Sequence, residues 1–461
     1  MEDIEILPIF ASEKNAYIRK IFESMNRIER TDYLNQLIEK RNNGRVKVIT
    51  GIRRCGKSVL LFDIFGDYLK ADGVADDQII TLKLDVARNA RYRNPFELDK
   101  YLRELIKDTK KQYYVMLDEI QEVEPIPNPW LNDENATIGF VDILLGLLDV
   151  RNVDVYVTGS NSKMLSTDVM TEFKDRGDEI HINPLMYKEF YSAYQGDKSR
   201  AWMEFVTYGG LPRVMALKTD REKSQYLHDL IQKTYLTDVI ERNHIQKDIS
   251  VLDDLLNIVA SSIGSLTNPK KLENTFATVK QTKIDDATIS TYLSYFAEAY
   301  ILRQARQYDI KGKKYINTPQ KYYLTDVGLR NAQLNFRQQE ETHLMENVIY
   351  NELCVRGFNV DVGVVEYNYK DEQGKSKRTK LEVDFVVNRG NRRCYIQSAF
   401  AIPDEEKRKQ ETNSLCRIND SYRKIVVVRH HIVPWYDENG IYYIGLEDFC
   451  LSYIDELNST L

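Results

Sequence analysis

One eight-residue stretch restricts the fold more than any other: Gly51-Ile52-Arg53-Arg54-Cys55-Gly56-Lys57-Ser58. It follows Val46-Lys47-Val48-Ile49-Thr50, an apolar run that reads as a strand. It precedes Val59-Leu60-Leu61-Phe62-Asp63-Ile64-Phe65, which reads as a helix. Strand, G-x-x-x-x-G-K-S, helix is the context in which a loop wraps phosphate. Glycines allow the tight turn and let backbone N–H groups approach phosphate oxygens without a Cβ in the way. The start of the new helix adds partial positive charge. Lys57 reaches the β- and γ-phosphates as a point charge, and the Ser58 hydroxyl faces Mg²⁺. Gly51 through Val59 is therefore the expected ATP cradle. Cys55 reads as a small packed side chain, although a thiol beside a helix N-terminus is also open to acidification.

Such a loop needs an acidic partner at a neighbouring strand end. Tyr113-Tyr114-Val115-Met116-Leu117-Asp118-Glu119 supplies it: an apolar run capped by two acids, the pattern of a central parallel strand buried on both faces. Its C-terminal end should lie beside the loop. Asp118 is expected to hold Mg²⁺ and Glu119 to polarise the attacking water. Asp154-Val155-Tyr156-Val157-Thr158 reads as a further strand, leading into Gly159-Ser160-Asn161-Ser162. Ser160 and Asn161 are candidates for orienting water or sensing the γ-phosphate; the alternative is helix N-capping. Arg176, before the strand Glu179–Ile182, is either an arginine finger offered to a neighbouring subunit or a structural ion-pair residue.

Bulk properties bound the rest. The 461 residues allow two to four domains, and 43% apolar composition fills several cores. Five scattered Cys with no C-x-x-C oppose a disulfide framework and a structural zinc site. No apolar run is long enough to cross a bilayer, and Met1-Glu2-Asp3-Ile4-Glu5 has no signal-peptide shape, so a cytoplasmic protein without a membrane partner is expected. The net charge of −6 exerts no global pull on nucleic acid; any DNA contact needs a local basic patch.

With Tyr208-Gly209-Gly210-Leu211-Pro212, these motifs resemble one group of bacterial and archaeal AAA+-type ATPases, which pairs an ATPase module with a C-terminal region of unassigned function. The resemblance spans essentially the whole chain and implies ATP, Mg²⁺ and a homo-oligomer. The Gly-Gly-x-Pro is similar to the Gly-x-Pro by which signalling relatives touch nucleotide from a helical lid. Lid helices would run from about Arg200 to His244, with Arg213 either a second phosphate sensor or a solvated arginine.

Past Ile249 the pattern changes to three amphipathic helices and a hairpin whose turn is Lys311-Gly312-Lys313-Lys314. These are the parts of a winged helix. Thr288, Ser290, Thr291 and Tyr292, read as exposed on the third helix, would approach DNA, and Lys311, Lys313 and Lys314 would hold phosphates. The acidic residues of that helix equally suit a protein-binding module. The C-terminal third reads helix, hairpin, strand, helix, strand and resembles the restriction-endonuclease-like fold. That resemblance makes Asp384 a metal acid, Gln397 the second position and Glu346 or Glu352 the helix acid. Ala399 stands where the family has its lysine, with Lys407 or Lys409 as possible replacements.

The expected organisation is a helical lead-in (1–44), an α/β P-loop core (45–198), a helical lid (199–248), a winged-helix-like domain (249–337) and a restriction-endonuclease-like domain (338–461). The expected activity is Mg²⁺-dependent ATP hydrolysis driving conformational work on DNA. The alternatives are a nucleotide-gated switch binding a protein, or an ATP-gated nuclease.

Overall fold

In the computed structural model the chain forms two compact units, Met1–Asn183 and Pro184–Leu461. The structure describes residues 28, 30–133, 135–159, 173, 176–245, 249–281, 283–337, 340–370 and 374–460.

The first unit is a five-stranded parallel sheet in the order β2-β3-β6-β1-β7, formed by β1 (Val46–Thr50), β2 (Ile79–Lys83), β3 (Tyr113–Asp118), β6 (Val153–Thr158) and β7 (Gly177–His181). Every residue of β1, β3 and β6 is buried, which is why these strands read as unbroken apolar runs rather than alternating ones. Apart from Thr50, Asp118 and Thr158 at the strand ends, the exceptions are Lys47 and Asp154, which pair with each other in the interior; Tyr156 and the Asn42 N–H also donate to Asp154. Helix α1 (Thr31–Glu39) buries Tyr33, Leu34 and Leu37 and ends in a turn where Asn42 and Gly44 take positive φ. The P-loop leads into a π-helical turn, Val59–Phe65, which continues as α2 (Gly66–Ala71). α3 (Pro95–Leu105) starts with Pro95 behind an Asn94 cap that accepts from the N–H groups of Phe96 and Glu97. Between β3 and β6 lie a two-residue pairing, β4 (Ile126–Pro127) with β5 (Thr137–Ile138), and α4 (Phe140–Leu148).

The second unit opens with α5 (Tyr187–Ala193), α6 (Ala201–Tyr208), α7 (Pro212–Met215), α8 (Asp220–Leu230) and α9 (Leu236–Arg242). Three helices come next, α10 (Ile249–Ser261), α11 (Pro269–Thr275) and α12 (Asp286–Glu298), then the antiparallel hairpin β8 (Leu302–Asp309) and β9 (Lys314–Leu324). Thr267, just before α11, bridges antiparallel to Gln320 of β9. Helix α13 (Val327–Gln333), wholly buried, ties these helices together: Asn331 donates to the carbonyls of Val206 and Thr207, and Arg330 to that of Ala260. Its capping residue, Asp326, accepts from Leu329 N–H at 3.0 Å and from Gly210 N–H at 2.7 Å.

The hairpin is continuous with the C-terminal strands. β8 pairs in parallel with β10 (Asn359–Lys370), so one eight-stranded mixed sheet runs β14-β15-β13-β12-β11-β10-β8-β9. Its other strands are β11 (Ser376–Arg389), β12 (Arg392–Ala399), β13 (Arg423–Val428), β14 (Trp435–Tyr436) and β15 (Ile441–Gly445). Helix α14 (Glu341–Val355) precedes β10, and α15 (Glu405–Cys416) joins β12 to β13. Leu415 and Ile418, at the end of α15, pack with Val383, Val386, Tyr395 and Val426. The β10–β11 register shifts between Asp361 and Gly363. This bulge lets Asp384 and Phe385 leave the α15 face together, and the Phe385 ring lies tilted beside Tyr323 (6.5 Å) and Tyr350 (6.3 Å) of the other face.

Candidate functional site

The strand order places β6 between β1 and β3, so the loop after β1 and the acids ending β3 meet at one edge of the sheet. At Gly51 (φ +137°) a Cβ would lie 2.1 Å from the Ile182 carbonyl oxygen, so only glycine permits this close approach. Lys57 is buried and donates to the carbonyls of Gly51 (2.9 Å) and Ile52 (3.2 Å), which hold its ammonium against the loop. Cys55 is buried, matching its reading as a packed side chain, while Arg53 and Arg54 are exposed.

The Ser58 hydroxyl donates to Asp118 Oδ1 at 3.0 Å. Thr158, the last residue of β6, donates to the same oxygen and accepts from the Glu119 N–H at 3.2 Å. Burial pushes the Asp118 carboxyl above its ordinary range, opposed by the Thr158 and Ser58 hydrogen bonds. Glu119 sits in the left-handed region (φ 54°, ψ 52°), costly for a residue with a Cβ, and Gln121 donates to its carboxylate. A hydroxyl and a carboxylate oxygen facing each other are hard ligands of the kind Mg²⁺ takes. Sequence reasoning passed over Thr158 and Gln121. The signal for Thr158 was its place at a strand end beside β3, where Val157 is in register with Leu117.

Ser160 and Asn161 lie outside the described residues. Arg176 is exposed, and its carbonyl accepts from Val46 N–H, which fixes it at the amino-terminal edge of the sheet. The phosphate loop leaves the opposite edge, roughly 15–20 Å away by strand rise, so Arg176 does not reach its own loop.

In the second unit Arg213 is exposed on α7. Gly209 and Gly210 have a packing reason of their own: a Cβ on the first would meet the Asp326 carboxylate at 2.1 Å, and on the second the Leu185 carbonyl at 2.1 Å. On α12, Ser290 and Thr291 are exposed and Thr288 half-buried, but Tyr292 is not exposed as expected. It packs inward with Ile289, Leu293 and Phe296 on the buried stripe of the helix. Lys311, Lys313 and Lys314 are exposed at the hairpin turn.

The C-terminal carboxylates are brought together only in part. Glu346, Asp384 and Gln397 converge: Gln397 Nε2 and the Ser398 N–H each donate to Asp384 Oδ2 at 2.8 Å. Glu352 does not join them. It faces away, accepting from Tyr187 N–H and pairing with Arg356 at 2.5 Å. Lys407 and Lys409 are likewise elsewhere, paired along α15 with Glu411 and Glu405. The ammonium among these acids belongs to Lys321 of β9, 2.8 Å from Glu346, 2.6 Å from Glu382 and 3.9 Å from Asp384. Burial alone would lower the Lys321 ammonium, but Glu346, Asp384 and Glu382 outweigh it and hold the lysine charged. Burial, with Glu346 beside it, raises the Asp384 carboxyl. Among the described residues no group of three or more His, Cys, Asp or Glu side chains is arranged to hold a metal ion.

The first unit's sheet order, loop and paired acids define a P-loop nucleotide-binding module. An AAA-domain family model matches residues 43–191, and a model described as a domain of unknown function (DUF8612) matches residues 199–340. An uncharacterised protein of Haemophilus influenzae is 32% identical over 405 residues, covering 87% of this chain and 93% of that protein. An uncharacterised protein of Methanocaldococcus jannaschii is 27% identical over 432 residues, covering 88% and 87%. Among solved structures, the Walker-type ATPase PABY2304 of Pyrococcus abyssi is similar with a TM-score of 0.46 and 14% identity, over 67% of this chain and 96% of that one. The chain belongs to the AAA+-type P-loop ATPases. Among the described residues no helix is long and apolar enough to cross a membrane.

Proposed function

We propose that this chain hydrolyses ATP with Mg²⁺ and couples the cycle to conformational work on DNA, acting as a homo-oligomer. One observation carries the hydrolytic half: Ser58, Asp118, Thr158 and Glu119 form a continuous hydrogen-bonded array at the strand edge from which the Gly51–Ser58 loop departs. In this reading the loop N–H groups and Lys57 bind the phosphates, and Ser58 and Asp118 hold Mg²⁺. When bound there, the ion would supply charge neutralisation for the phosphates. Glu119, oriented by Gln121 and by its N–H to Thr158, accepts a proton from water as the new bond to the γ-phosphorus forms and the bridging bond to ADP breaks. Its distance from its own loop supports assigning Arg176 as an arginine finger offered to a neighbouring subunit, the alternative being a structural ion-pair residue.

The DNA half rests on the second unit. Three helices, a short bridge at Thr267 and a basic hairpin come in the order of a winged helix, with Lys311, Lys313 and Lys314 at its turn. The acidic α12 favours a second reading, a nucleotide-gated switch that binds a protein. A cutting role has weaker support, because Lys321 already occupies the centre of the acids around Asp384.

The deciding measurement is steady-state ATP turnover with and without duplex, forked and single-stranded DNA at fixed low salt, with Glu119→Gln as the blank. Severalfold stimulation by one DNA form is the expected result. A slow rate indifferent to every DNA would replace this reading with the protein-directed switch.

A further inference from the structure

The third helix of the wing segment is a poor seat for nucleic acid. Asp286–Glu298 contains no Lys or Arg, and its exposed side chains include Asp286, Ser290, Thr291, Ser294 and Glu298. The cations lie on the strands instead. Residues 306–315 carry four Lys or Arg against one carboxylate, and residues 366–380 carry five against three, in a chain whose net charge is −6. The first segment, a hairpin turn, adjoins the base of the β10–β11 arm that carries the second: β8 pairs with β10, and the Lys311 ammonium donates to the Glu366 carbonyl at 3.1 Å. Lys313, Lys314, Lys375, Lys377, Arg378 and Lys380 are all exposed.

Aromatic rings alternate with these cations on the α15 side of the sheet. The Arg306 guanidinium lies 4.6 Å over the Tyr315 ring, and Tyr315 meets Tyr308 edge-on at 5.4 Å. Arg393 lies 4.8 Å over Tyr308 and 5.8 Å from Tyr422. A second limb runs up the β10–β11 arm. There Arg417 sits 3.7 Å over Tyr367, Tyr367 neighbours Tyr369 at 6.1 Å, and Tyr369 is paired across the strands with Lys377. Tyr315, Tyr369 and Tyr422 are 50%, 42% and 41% exposed, much for such large rings. The acids described in the patch are engaged: Asp361 accepts from the Tyr315 hydroxyl, Asp309 from Gly312 N–H, and Glu366 pairs with Arg378 and Lys380.

We propose that this face binds single-stranded nucleic acid, stacking bases on Tyr315 and Tyr422 and tracking the backbone with the arginines and lysines of the two segments. The inference rests on the DNA-acting reading above and moves the contact from α12 to the sheet. Rings open to solvent and flanked by guanidinium groups suit unpaired bases, whose π-faces a duplex hides; the interleaved charges match a phosphate chain.

The test is fluorescence anisotropy of a labelled 20-nucleotide oligo-dT, its duplex with oligo-dA, and oligo-rU, each with the full chain at fixed low salt. Tyr315→Ala with Tyr422→Ala should weaken oligo-dT binding at least about tenfold while leaving the salt dependence unchanged. Lys313→Ala with Lys314→Ala should instead lower the slope of log affinity against log salt, by up to about one per lysine. The exposure of these four side chains keeps folding out of the comparison, which the urea midpoint verifies. Binding of oligo-rU alongside oligo-dT leaves the inference intact and widens the ligand to RNA. If the tyrosine variant binds oligo-dT within about twofold of the parent, or the duplex binds as well and loses nothing with the tyrosines, stacking at this face is wrong although DNA binding stands. If the full chain binds no nucleic acid with or without ATP, the DNA-acting reading itself falls.

Discussion

Thr158→Val tests whether the end of β6 is part of the hydrolytic array or only part of the core. Thr158 is fully buried, and valine keeps its shape, so the substitution removes one hydroxyl and little else. That hydroxyl donates to Asp118 Oδ1 and accepts from Glu119 N–H, the N–H of a residue held in the left-handed region. A hydrogen bond to a charged group contributes about 1.5–3 kcal/mol, and a buried N–H left unpaired costs about 1–3 kcal/mol. Asp118 retains Ser58 at 3.0 Å, so only part of that loss falls on the metal acid. Glu119 loses the bond that fixes its backbone. If about 1.5–3 kcal/mol of this is lost in the transition state, turnover falls about 10- to 100-fold. Lys57 and the loop are not touched by Thr158, so KM for ATP should move by less than about threefold. Phosphate-release kinetics give the split between kcat and KM, urea unfolding gives stability, and Thr158→Ser, which restores the hydroxyl, should recover most of the rate. A Thr158→Val protein with wild-type kcat, whatever its stability, would refute the reasoning.

Three further outcomes are expected at buried or edge positions. Asp154→Ala strands the Lys47 ammonium in the sheet interior and should cost about 3–5 kcal/mol in urea unfolding, whereas Lys47→Met with Asp154→Asn, which keeps an acceptor for Tyr156 and the Asn42 N–H, should cost less. Gly210→Ala drives a Cβ to 2.1 Å from the Leu185 carbonyl and should destabilise by about 3 kcal/mol; a loss of ATP affinity with an unchanged thermal midpoint would instead favour a sensing role for the Gly-Gly turn. Arg176→Ala and Lys57→Ala should each be inactive alone, yet a mixture should regain turnover, because a subunit with an intact loop then meets a neighbour with an intact arginine. No recovery on mixing would remove Arg176 from the site.

What the sequence reveals depends on how local the cause is. The loop, its helix and the Asp118-Glu119 strand end are local patterns, and the structure puts each where the pattern implies. The inward turn of Tyr292 was legible too, because Ile289, Tyr292, Leu293 and Phe296 are spaced i, i+3, i+4, i+7. Thr158 was harder. Its role comes from β6 being threaded between β1 and β3, and strand order is a property of the whole sheet. Glu346 and Glu352 lie on the same helix about 120° apart, so only one can face Asp384, and which one does is decided by partners distant in sequence such as the Tyr187 N–H that Glu352 accepts from. Lys321 was invisible for the same reason. It reaches Asp384 from a strand 63 positions earlier, while the motif itself shows only Ala399 in the place of a lysine.

That lysine explains how the wing hairpin and the C-terminal sheet come to be one body. β9 carries Lys321 at one end, against Glu346 and Glu382, and Tyr315 at the other, beneath Arg306. A one-residue slip in the inner part of β9, where Leu302–Ala305 pair with Lys321–Leu324, would turn its side chains to the opposite face and take the ammonium from the acids. The cluster therefore acts as a register lock for that inner part of the hairpin. Lys321→Met should cost about 3–5 kcal/mol, because it leaves buried carboxylates without their cation. The cost should depend on pH in a definite sense. With the lysine present its contribution is intact below about pH 10.4, the unfolded lysine value, since the folded state holds the ammonium above that. The Asp384 carboxyl, raised to about 8 even with the lysine beside it, rises further without it, so the parent stops losing stability to that proton near pH 8 while the variant goes on losing it at higher pH. Urea midpoints at pH 7 and about pH 9.5 should show the deficit of Lys321→Met growing between them. A deficit equal at both pH values would mean that the acids are not held by the lysine, and the register argument would fail with it.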